Sequence, residues 1–256
     1  MTEIERCPSG IPGLDKLLNG GFPRGRTILV SGNCGTGKTI LATQFVYNGA
    51  AKYGEPGIIV ILEQDPNEFK KDMGVFNFDI QEFEKEGKLI VVNASLSSIE
   101  LQDFFNTREA VPKSSFSLLP GEDKLDKITD IIIKAAEKIG AKRVSIDSIA
   151  ALDFMLEDKT KVRKTLLNMN YRLKKAGLTT IIVADATRGV STQGIEEFIM
   201  DGVITLHYET TGADIGRHMV IGKMRSTAHS ENIHTIRFVK GKGIEITDLD
   251  EPGMGI

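Results

Sequence analysis

Residues 32–39 read GNCGTGKT, a pattern of the form G-x-x-x-x-G-K-[ST]. Glycines at 32, 35 and 37 let successive backbone N–H groups turn inward around an anion. A helix starting at the end of the run adds the positive end of its dipole. In this pattern Gly32, Asn33, Cys34, Gly35, Thr36 and Gly37 line a phosphate cradle. Lys38 reaches the terminal phosphates, and the Thr39 hydroxyl is a ligand for Mg²⁺.

Chemistry at such a cradle needs two further groups. One is an acid at the tip of a neighbouring strand, to stand behind the metal. Asp147, closing the apolar run RVSID, fits that role. Asp185, closing TTIIVAD, either senses the terminal phosphate or caps its strand. The other is a group that orients an attacking water. Glu63, in ILEQD, stands where an apolar run gives out, and strand ends at the carboxyl edge of such a sheet face the ligand crevice. Glu63 is therefore the candidate base, set against an exposed loop carboxylate. Asp65-Pro66 just after it reads as the start of a helix.

The elements that position these residues follow from periodicity. Apolar runs at 27–32, 57–62, 88–92, 143–147 and 179–185 read as buried strands. Helical spacing marks 39–54, 123–140 and 159–177, each closed by glycine. Strands alternating with amphipathic helices mean an α/β fold with a mostly parallel central sheet covered on both faces. After residue 200, GVITLHYE, RHMVIGKMR, IHTIRFV and GIEIT read as antiparallel strands added at the sheet's edge. Residues 111–123, rich in Ser, Pro and Gly, read as a flexible loop. No linker divides the chain, so residues 1–256 are expected to form one domain.

Composition narrows the class. A net charge of -3 in 256 residues argues against a protein devoted to a nucleic-acid backbone. Two cysteines, Cys7 and Cys34, have no metal-ligand spacing. A charged N-terminus and no long apolar run suggest a soluble cytoplasmic protein without a membrane span. His207 and His218 flank a hairpin and can face each other, but lack a third metal ligand. Lys159, Lys161, Arg163, Lys164, Arg172, Lys174 and Lys175 read as a solvated helix face. Lys223 and Arg225, in KMRSTAH, lie two apart and so share a strand face. On composition alone they are solvated edge-strand cations.

With these residues placed, the chain resembles the KaiC-like branch of the RecA-type ATPases nearly end to end. SGIPGLDKLLNGGFPRG (9–25), GNCGTGKT, RVSIDSIAAL (143–152), GIEEFIMDGVITL (194–206) and KMRSTAH follow in family order. The resemblance implies a RecA-like P-loop fold, ATP with Mg²⁺ as ligand, and ATP hydrolysis. It also implies a homohexameric ring in which Lys223 and Arg225 reach the neighbour's nucleotide, with Thr227 and His229 near its ribose. Two departures stand out. The family's usual glutamate pair is Glu63-Gln64 here, and its glycine after the arginine is Ser226. If the second glutamate did the work, turnover would be slow, and the chain would act as an ATP-dependent switch or assembly module docking a protein partner. A single-stranded-DNA-dependent repair ATPase is the less favoured reading. Autophosphorylation, known for the family's clock protein, is not expected at Ser191-Thr192.

Overall fold

The strands at 27–32 and 57–61 are runs of consecutive buried residues, and period-two alternation sends those residues to two different cores. In β3 (Thr27–Gly32), Ile28 and Val30 join one apolar cluster and Leu29 the other. The first cluster includes Leu41, Phe45 and Val46 of α2 (Lys38–Lys52). The second includes Leu125, Ile128 and Ile132 of α5 (Gly121–Ile139) and Leu166, Met169 and Leu173 of α6 (Lys159–Lys175). The computed structural model describes residues 4–94, 121–149, 159–187, 190–191, 196–211 and 214–248.

Along the chain, a small hairpin-like pair, β1 (Arg6–Cys7) and β2 (Phe22–Pro23), brackets the short α1 (Leu14–Leu17). After β3 and α2 come β4 (Gly57–Ile61), α3 (Pro66–Gly74), α4 (Ile80–Lys85) and β5 (Leu89–Asn93). Asp65 caps α3 by accepting from the backbone N–H groups of Asn67 and Glu68, with Pro66 in the first turn. Then follow α5, β6 (Arg143–Asp147), α6, β7 (Thr179–Thr187), β8 (Val190–Ser191) and α7 (Glu196–Ile199). The chain continues through β9 (Gly202–Thr211), β10 (Asp214–Met224), β11 (Ile233–Val239) and β12 (Gly243–Asp248).

The order across the sheet is β12-β11-β10-β9-β3-β7-β6-β4-β5, with β8 paired to β7. β5, β4, β6, β7, β3 and β9 are mutually parallel. β10, β11 and β12 are antiparallel additions, as expected for the late runs. β9 is a correction to that expectation: it runs parallel to β3 and antiparallel only to β10. The chain has returned to the amino edge before β9 begins, where the Asp201 N–H donates to the Thr27 carbonyl at 2.9 Å. Residues 121–123, expected at the end of a loop, are the first residues of α5, and the rest of 111–123 lies outside the described residues.

The strand carrying Asp147 is anchored at its other end by Arg143, which is fully buried. Its Nε donates to Glu55 at 2.7 Å, Nη1 donates to the Phe45 carbonyl, and the guanidinium lies between the rings of Phe45 and Tyr53. Pairing, hydrogen bonding and stacking offset part of the desolvation of this buried cation, while its Nη2 has no hydrogen-bond partner among the described residues.

Candidate active site

Four neighbouring parallel strands, β3, β7, β6 and β4, end at one edge. The register sets Gly32 beside Asp185 and Ile61 beside Asp147. Glu63 follows β4 by two residues, after the Leu62 N–H bonds the Asp147 carbonyl at 2.8 Å. The glycine-rich turn leaves β3 at the same edge and runs into α2. Two of its glycines have no substitute. A Cβ at Gly32 would stand 2.5 Å from the Leu206 carbonyl oxygen. Gly37 has φ +99°, and a Cβ there would stand 2.7 Å from the Phe238 ring.

Charge converges on this edge. Lys38 Nζ donates to the carbonyls of Gly32 (2.7 Å) and Asn33 (2.9 Å) and pairs with Asp185 at 3.1 Å. Thr36 Oγ1 donates to the Asn33 carbonyl at 2.8 Å and closes the turn. Thr39, the second residue of α2, lies close enough to Asp147 to favour its ionised form. Burial pushes the Asp147 carboxyl above its ordinary value, with Glu63 and Asp185 adding to the effect and Thr39 and Lys38 opposing it. Glu63 and Asp185 are exposed, whereas Gln64 is turned aside, its Nε2 donating to Asp72 of α3 at 2.8 Å. Cys34 is exposed at the crest of the turn.

The other sequence-derived residues do not join this group within the chain. Lys223 pairs in register with Val203, and Val203 with Leu29, three residues short of Gly32. That is about 10 Å back along the strand direction and two strands across. Lys223 Nζ donates to the carbonyls of Glu197 (3.0 Å) and Met200 (2.7 Å). Burial lowers its pKa, Arg225 lowers it further, and Asp201 opposes both. Arg225 lies 3.8 Å from Asp201, and its side chain is 55% exposed. Thr227 Oγ1 accepts from Arg6 at 2.6 Å, and His229 Nδ1 lies 2.9 Å from the Ser230 carbonyl. Ser226 takes φ +62°, a conformation glycine adopts at less cost, so its difference from the family pattern falls on a real turn.

Three features escaped the sequence reading. Arg217 of β10 reaches the glycine turn: its Nε donates to the Gly35 carbonyl at 3.0 Å, and its guanidinium lies 4.5 Å from the Phe238 ring centre and 5.2 Å from that of Tyr208. Folding YETTGADIGR about its centre pairs Tyr208 with Arg217, so this contact had a signal. Phe238 packing on Gly37 had none. Nor did Asp201, which is 1% exposed and bonded to Lys174 at 2.8 Å. Lys174 therefore leaves the expected solvated face, whereas Arg172 stays on an exposed surface, where it pairs with Asp130. His207 and His218 do sit opposite each other, and no three-residue His/Cys/Asp/Glu metal cluster occurs among the described residues.

The residues present suit a magnesium-bound nucleoside triphosphate. Thr39 and Asp147 offer hard oxygens on neighbouring elements at one edge of the sheet, and Mg²⁺ takes one or two protein oxygens beside phosphate and water. Lys38 is held on backbone carbonyls that a phosphate would replace as partners. The family model for the KaiC ATPase matches residues 7–251. The chain belongs to the KaiC family of P-loop ATPases, within the RecA superfamily. Its membership makes it an ATP-hydrolysing enzyme. It is similar to UPF0273 proteins of Aeropyrum pernix (34% identical, 94% of this chain and 93% of that one) and Thermotoga maritima (34%, 95% and 96%). It is also 34% identical to the circadian clock oscillator protein KaiC of Thermostichus vulcanus over 97% of this chain but only 45% of that protein. The crystal structure of a KaiC-like protein from Pyrococcus horikoshii superposes with a TM-score of 0.79 at 37% identity, covering 95% of this KaiC-family chain and 99% of that one. Among the described residues no helix is long and apolar enough to cross a membrane.

Proposed function

We propose that the chain hydrolyses MgATP at composite sites between copies of itself, most simply in a six-membered ring. One copy supplies the cradle and its acids; the next supplies Lys223 and Arg225. The observation that carries this reading is the separation of the two groups onto opposite edges of one sheet. Lys223 and Arg225 contact the 197–201 segment of their own chain, whereas Lys38, Thr39, Asp147 and Glu63 gather at the other edge.

On this reading the backbone N–H groups of the 32–38 turn bind the phosphates, and Lys38 exchanges carbonyl partners for phosphate oxygens. Thr39 and Asp147 hold Mg²⁺, which neutralises charge on the phosphate oxygens when bound. Glu63 orients a water and accepts its proton while the water oxygen bonds to the terminal phosphorus and the bridging P–O bond breaks, giving ADP and phosphate. Gln64 is engaged with Asp72, so Glu63 is the group available. Arg225 and Lys223 of the second copy meet the charge developing on the transferring group. Thr227 and His229 border the shared ligand near its ribose. A protein partner and a cytoplasmic setting fit this reading, and DNA is not required.

The test is phosphate release per subunit as a function of protein concentration, alongside the assembly state. The rate should rise steeply as the protein assembles. A rate that is constant from dilute monomer upward would refute the shared site and leave the ATPase assignment intact.

A further inference from the structure

We propose that Asp201 is the positioning residue that aims the cations supplied to the neighbour; the inference rests on the shared-site reading above. The carboxylate is 1% exposed and sits just before β9. Its main chain and its side chain both act on Arg225. The Arg225 N–H donates to the Asp201 carbonyl at 2.9 Å, at the point where the chain leaves β10. The carboxylate lies 3.8 Å from the Arg225 guanidinium. The segment just before Asp201 holds the second cation, through the carbonyls of Glu197 and Met200 on Lys223 Nζ. Residues 197–201 are thus a single receptor for both cations.

The carboxylate is itself pinned. Lys174 Nζ binds both of its oxygens (2.8 and 3.1 Å), Arg26 approaches at 3.3 Å, and the Thr27 N–H at 3.4 Å. Three cations share one carboxylate, so Arg225 is oriented without being neutralised, and its exposed head keeps its charge for an outside anion. A residue serving stability alone would be satisfied by Lys174 and Arg26; the added hold on Arg225 is what points to aim. Thr27 is also the first residue of β3, the strand that ends in the glycine turn. The donating and receiving halves of one subunit therefore share a strand.

The experiment mixes variants with complementary defects and reads phosphate release. Lys38→Ala keeps the cations and loses the cradle; Arg225→Ala keeps the cradle and loses a cation. Mixed, they should recover activity that neither has alone, and absence of recovery would remove the shared site and this inference with it. Given recovery, Asp201→Asn mixed with Lys38→Ala should recover equally, because its cradle is sound, and this also shows that it folds. A Lys38→Ala/Asp201→Asn double variant should fail as the cation donor for Arg225→Ala, with kcat down about tenfold to a hundredfold at unchanged KM, the cost of misplacing a reacting group by about 1 Å. If Asp201→Asn does not fold alone, Asp201→Asn/Lys174→Met, which removes one uncompensated cation, carries the same comparison. Donation at the full Lys38→Ala rate overturns the proposal, as does an equal defect in both roles or loss of the fold in both variants.

Discussion

At the carboxyl edge of the sheet, Lys38, Thr39, Asp147 and Glu63 come together because four parallel strands end in register. At the amino edge, Lys223 and Arg225 come together because an antiparallel strand runs back to where β9 begins. Each edge carries a charge held at a cost. Burial raises the Asp147 pKa, so its ionised form is disfavoured until a cation arrives. Burial and Arg225 lower the Lys223 pKa, so its ionised form is disfavoured until an anion arrives. Magnesium would relieve the first and phosphate the second. The difference lies in reach: the first set surrounds one end of the glycine turn within the chain, whereas the second lies at the opposite edge of the sheet and, on the proposed reading, meets the ligand of another copy.

The largest expected effect tests that difference directly. Arg225→Ala should lower kcat by about a thousandfold while leaving ATP binding nearly unchanged, as expected for a cation acting on the transferring phosphoryl group. The measurements are multiple-turnover phosphate release and equilibrium binding of a fluorescent ATP analogue. A loss below about threefold would make the amino-edge pair structural. Glu63→Gln comes next, with kcat falling about a hundredfold or more at intact binding. A variant as fast as wild type would move the carboxyl edge from catalysis towards nucleotide-dependent assembly.

Asp147→Asn separates stability from turnover. A carboxyl whose folded pKa is raised contributes stability that is present below its ordinary pKa and lost as pH rises through the folded value. Ionised Asp147 therefore weighs against the nucleotide-free fold at neutral pH. The amide should raise Tm in the absence of nucleotide by about 2–4 °C, equivalent to about 1 kcal/mol in a chain of this size. The gain should vanish at acidic pH, where wild type is itself protonated, and Mg²⁺-dependent turnover should fall. Scanning calorimetry at two pH values checks the sign. A drop in Tm at neutral pH would mean that the Thr39 contact outweighs desolvation.

Much of the carboxyl edge was legible because it is local in sequence or set by strand ends. GNCGTGKT is a contiguous pattern, and Asp147 and Glu63 each follow an apolar run whose burial is visible in its composition. The five strands expected before residue 200 fell within two residues of their observed bounds, and β10 began three residues before RHMVIGKMR. The amino edge was hardly legible. KMR shows two cations on one face, but its partners, residues 197–201, lie more than twenty positions earlier and act through backbone carbonyls that carry no residue signature. Asp201 looks like a turn residue in sequence, and its burial depends on α6 and β3 packing around it. The direction of β9 was missed because an apolar run does not state which way it crosses the sheet.

The smallest effect asks whether the carboxyl edge is complete with Glu63 alone. Gln64 stands where the family pattern has a second glutamate, and its amide is spent on Asp72, 2.8 Å away on α3. Gln64→Ala removes one exposed hydrogen bond and should cost less than about 1 kcal/mol of stability. It should change kcat by less than about twofold, because Glu63, the proposed water-orienting group, is untouched. Gln64→Glu brings a carboxylate against Asp72, so the side chain is driven off its present partner and becomes free to turn to the nucleotide. If that variant is clearly faster than wild type, the amide at 64 restrains turnover, and two adjacent acids serve better than one. If it is no faster, Glu63 suffices, and on the proposed shared site the limit moves to Lys223 and Arg225 of the second copy.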